Sequence, residues 1–89
     1  MNKYEAAEKV NEALRAAGVE KALKDGKVEK LLVKIGGHKS TLVLKHGVHA
    51  MEQRKNDVAV FRAAMVEELL RAPGAFEEIV TDSTGATNA

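Results

Sequence analysis

The 89-residue sequence has no cysteine, no tryptophan and one proline, Pro73, and its only Tyr and Phe residues are Tyr4, Phe61 and Phe76. Without cysteine there is no disulfide, no thiolate nucleophile and no cysteine-ligated metal. So few rings leave a core of aliphatic side chains, many of them alanine, and provide no row of aromatics on which unpaired bases could stack. No run approaches the roughly 18 apolar residues of a membrane span. The opening MNKYEAAEKV also lacks the apolar core of a signal peptide. The expectation is a cytoplasmic protein without membrane association, formed by one small domain over residues 1–80. The stretch TDSTGATNA, residues 81–89, has nothing to bury and is expected to be a disordered polar tail.

Charge is nearly balanced overall, at +1, but unevenly placed. Residues 1–20 sum to −1, residues 21–62 to +6 and residues 63–89 to −4. A basic middle can set up a local positive field although the whole chain is close to neutral.

That basic middle coincides with the clearest pattern in the chain, KVEKLLVKIGGHKSTLVLK from Lys27 to Lys45. Apolar residues alternate with polar ones at Leu31, Val33 and Ile35 and again at Leu42 and Leu44, the period of half-buried strands. The glycines between them predict a β-hairpin. With Gly37 and His38 as the loop, Gly37 supplies the positive φ of a type II′ turn. Ile35 then faces Ser40, Val33 faces Leu42, Leu31 faces Leu44 and Lys30 faces Lys45. One sheet face is apolar. The other carries Lys30, Leu32, Lys34, Thr41, Val43 and Lys45.

Helices are expected on either side. Asn2 to Ala17 is rich in helix formers and places Ala6, Val10, Leu14 and Ala17 on one face, with Asn2 as N-cap and Gly18 just past the end. VEKALK at Val19 echoes VEKLLV at Val28, and it reads best as a helical turn ended by Asp25-Gly26. Val48 to Met51 suits a short third strand before a polar loop, Glu52 to Lys55. Asn56 and Asp57 would then cap a helix from Val58 to Arg71 striped by Val58, Phe61, Met65 and Leu69. A longer helix beginning near Val48 fits equally well. Ala72-Pro73-Gly74 ends it, and Ala75 to Val80 forms a short apolar element. The predicted fold is α+β: two main helices packed on one face of a small antiparallel hairpin or three-stranded sheet, in the order α-β-β-(β)-α.

Among the three histidines, the expected ladder puts His38 at the turn and His46 opposite Glu29, about 20 Å away. They cannot share a metal within one chain, and no metal or other cofactor is expected. The segment GGHKSTLVLKHG has a local similarity to the histidine-bearing strand of HicA-type messenger-RNA interferases, in which Gly37 stands where that family has serine. This resemblance would imply a ribonuclease using His38 as its catalytic residue. The spacings of a phosphate-binding P-loop or a KH-domain GxxG loop are absent.

The chemistry that stands out is the lysine face. Lys27, Lys30, Lys34, Lys39, Lys45, Arg54 and Lys55, with Arg62 beyond them, could follow a phosphate backbone without reading bases. The expected function is a non-enzymatic regulatory or accessory protein that engages an acidic partner, a nucleic acid or an acidic protein surface, through the hairpin. The alternative is a protein-interaction or inhibitor module, homodimeric through Leu32 and Val43.

Overall fold

The computed structural model describes residues 1–47 and 49–76. Three helices and a two-stranded antiparallel sheet follow in the order α1 (Lys3–Ala16), α2 (Val19–Asp25), β1 (Glu29–Ile35), β2 (His38–Leu44) and α3 (Met51–Arg71), with a final 3-10 turn over Pro73–Phe76. Among the described residues no helix is long and apolar enough to cross a membrane.

The first helix begins and ends where its sequence says it should. The Asn2 side-chain oxygen accepts the Glu5 N–H at 2.9 Å, satisfying one of the free donors of the first turn. Gly18 takes φ +85° and its N–H closes back on the Arg15 carbonyl at 3.1 Å, the left-handed exit that favours glycine. Asn2→Ala is expected to lower stability by about 1 kcal/mol, measured as a shift in urea midpoint with unchanged slope. The short α2 runs straight on from Gly18.

The hairpin is present, with its register two residues from the expected one. Ile35 pairs with His38, Val33 with Ser40, Leu31 with Leu42 and Glu29 with Leu44. The loop is thus Gly36-Gly37, with the positive φ (58°) at Gly36 rather than at Gly37. A two-residue slip leaves every side chain on its original face, so the hydrophobic alternation could not discriminate between the registers. The observed register places glycine at both loop positions. His38 joins β2 on the core side, where its ring centroid lies 4.3 Å from that of Phe76. The expected Lys30–Lys45 pair does not form; Lys30 faces Val43, and Lys34 faces Lys39 instead.

Helix α1 packs on β1 and α3 on β2, both against the face carrying Val33, Ile35, Leu42 and Leu44. These four close a core with Val10, Leu14, Val58, Met65, Leu69 and Phe76. Each fully buried Leu or Val contributes roughly 1.5–3 kcal/mol.

The connection into α3 decides between the two expectations: the longer helix forms, starting at Met51 rather than near Val48. Met51 to Arg54 are helical, so neither the third strand ending at Met51 nor the polar loop forms. Asn56 and Asp57 lie inside α3 and cap nothing. Asp57 instead accepts the Lys45 N–H at 2.9 Å and stands 3.9 Å from His46 Nε2, tying the exit of β2 to the helix. At the other end, Ala72 leaves the helical region at φ −140° and ψ 66°, since the following proline ring disfavours helical backbone in the residue before it. Residues 77–89, including the expected tail and most of the last apolar element, lie outside the described residues.

Candidate functional site

Because α1 and α3 both lie on the core face, none of the described helices covers the opposite face of the hairpin. Lys30, Leu32 and Lys34 project from β1 on that side, and Lys39, Thr41 and Val43 from β2. The three lysines are exposed, Leu32 is 51% exposed and Val43 is half-buried. Cross-strand partners stand about 4.5–5.5 Å apart at Cβ, so Lys34 and Lys39 root two cationic side chains side by side next to the turn. Like charges so placed destabilise a sheet by roughly 0.2–1 kcal/mol. Neither strand places an Asp or Glu on this face. Glu12 of α1 borders the same shallow depression as Lys34, but among the described residues no carboxylate lies within 4 Å of Lys30, Lys34 or Lys39.

The remaining cations named from the sequence fall elsewhere. Lys27 is exposed just before β1, and Lys45 is exposed one residue past β2. Lys55 lies on α3 with its Nζ 3.9 Å from Glu52. Arg54 is not part of any surface. It is fully buried, and its guanidinium donates from Nη1 to the carbonyls of Lys27 and His46, each at 2.6 Å, and from Nη2 to the carbonyl of Ala22. The Ala22 carbonyl belongs to the last turn of α2, where carbonyls lack helical partners and the helix dipole favours a cation. Arg54 therefore joins the end of α2, the entry to β1, the exit from β2 and the first turn of α3. Its Nε has no hydrogen-bond partner among the described residues.

Counting every basic residue as solvated hides that role. A signal is nonetheless present in the sequence: the α3 stripe of Val58, Phe61, Met65 and Leu69, continued one turn toward the N-terminus, falls on Arg54. Phe76, which sequence places only in a short apolar element, covers the turn end of the core.

No protein-family model, curated protein or solved structure matches this chain.

The histidines do not join the lysines. His38 points to the core side against Phe76, whereas its neighbour Lys39 points outward, as alternation along a strand requires. A histidine acid–base group flanked by charge-stabilising lysines is therefore not assembled on either face. His46 is half-buried beside Asp57, and His49 is exposed. Among the described residues no three His, Asp or Glu side chains are grouped to hold a metal ion.

Proposed function

We propose that this is a small non-enzymatic binding domain that engages a polyanionic partner, the phosphate backbone of a nucleic acid, through the open face of its hairpin. The observation that carries the reading is the Lys34–Lys39 cross-strand pair. It holds two like charges together on a face to which the strands contribute no carboxylate, an arrangement that costs stability in the free protein and is relieved by an anion. Lys30 extends the positive strip along β1, and Lys27 and Lys45 flank its open end. Each phosphate neutralised would release condensed counterions, the main source of affinity in such contacts.

The test is binding of the purified full chain to a labelled duplex over a series from low to physiological salt. A linear fall of log affinity with log salt, with a slope corresponding to about three phosphates, is the expected result. Absence of binding at low salt would refute it.

The exposure of Leu32, at 51% in the middle of this face, supports a second reading, a protein-interaction or homodimer surface including Val43. Leu32→Asn separates the two. It would disrupt an apolar interface, seen as a change in oligomeric mass, while a phosphate-binding face, its charge unaltered, would keep its salt slope.

A further inference from the structure

We infer that the polyanion is B-form duplex DNA and that the hairpin enters its major groove as a two-stranded ribbon. The inference rests on the phosphate-binding reading and adds to it a substrate class and a docking geometry. Its first support is shape. Strands of seven residues each make a ribbon about 23 Å long, with both long helices behind it. A B-DNA major groove, about 12 Å wide and 8.5 Å deep, admits such a ribbon.

The second support is the layout of side chains on the outer face. Lys34 and Lys39 stand together at the turn end, and Lys30 lies four positions back along β1, about 13 Å away at the strand rise. Cations thus occupy both ends of the exposed strip. Between them Leu32 pairs with Thr41, while Val43 sits opposite Lys30 at the far end. This centre is apolar and hydroxylic. Side chains of that kind suit groove floors, where thymine methyl groups take apolar contacts and a hydroxyl can meet any base edge. The lysines can reach phosphates at the groove rim while the centre of the ribbon faces the bases.

The same layout argues against the other nucleic acids. A-form RNA has a deep, narrow major groove that side chains cannot read. Single strands are held by stacking on aromatic rings, and the two strands place none on this face.

The experiment compares four labelled 20-mers by fluorescence anisotropy with the full chain at one low salt concentration. They are duplex DNA, duplex RNA of matching sequence, single-stranded DNA, and duplex DNA whose cytosines carry glucosylated 5-hydroxymethyl groups. The last fills the major groove with neutral sugar and keeps the phosphate charge. Unmodified duplex DNA is expected to bind at least tenfold more tightly than each of the other three. Equal affinity for the duplex RNA or for the glucosylated duplex would overturn the groove assignment while leaving phosphate binding intact. Failure to bind any of the four would overturn the underlying reading as well.

Discussion

Replacing Arg54 with methionine is expected to destabilise the domain by about 3–5 kcal/mol. Methionine keeps much of the side-chain length but removes the donors that satisfy the carbonyls of Ala22, Lys27 and His46. A buried acceptor left unpaired costs roughly 1–3 kcal/mol; the Ala22 bond is buried, those to Lys27 and His46 are partly buried, and all three lose their donor together. Buried ion pairs can often be exchanged for apolar residues without loss, because both charges disappear. Here the acceptors are backbone carbonyls and remain whatever replaces the arginine. For a chain of this length total stability is about 4–13 kcal/mol, so the variant should lose more than 10 °C of Tm and much of its urea midpoint. Arg54→Lys keeps the charge but not the planar fork, and should fall between the two. A methionine variant as stable as the parent would show that the guanidinium contributes nothing to the fold.

Neutralising the turn-end lysines should have the opposite effect on stability and a large effect on binding. Lys34→Gln/Lys39→Gln removes a like-charge cross-strand pair, so the folded state is expected to be unchanged or more stable by up to about 1 kcal/mol. Nucleic-acid affinity should fall by about tenfold or more at low salt, and the salt slope should decrease by about 2, close to 0.9 for each phosphate no longer neutralised. Lys55→Gln is the control. That lysine lies on α3 beside Glu52, away from the hairpin face, and its replacement should leave the slope nearly unchanged. If the double variant binds with the parental slope, the hairpin face is not the site, because stability and charge location have then been varied separately.

How much of this was legible in the sequence depended on whether the governing contact was local. Helix α1 was readable to within a residue or so, since Asn2 and Gly18 act on the backbone beside them. The membership of the two hairpin faces was readable as well, because alternation assigns it directly. The register was not. A slip of two conserves the faces, and either Gly36-Gly37 or Gly37-His38 offers a glycine for the positive φ of the turn, so the local chemistry left both registers open. The start of α3 was obscured for a related reason: Asn56 and Asp57 resemble helix caps, but Asp57 is used by the backbone of Lys45. Arg54 was the largest omission. A charged side chain at a core position follows the helical stripe but contradicts hydropathy, and only the convergence of three chain segments on it makes burial tolerable. On the lysine face, sequence supplied the residues and folding changed which pair meets, from Lys30–Lys45 to Lys34–Lys39.

The arginine clamp also bears on how the domain opens. A lone two-stranded hairpin is marginal in water and would be expected to fray independently. In this chain Arg54 bonds to carbonyls 8, 27 and 32 residues away, on both flanks of the hairpin and on α2. Peeling either strand from the helices would strip one acceptor from a buried cation and uncover the core face of the sheet, so partial opening gains little over complete unfolding. The hairpin amides that bond across the strands should therefore exchange with solvent deuterium only on global unfolding, with the same free energy as the centre of α3. On that expectation the ribbon opens only with the whole domain, and its exposed face keeps its shape until then.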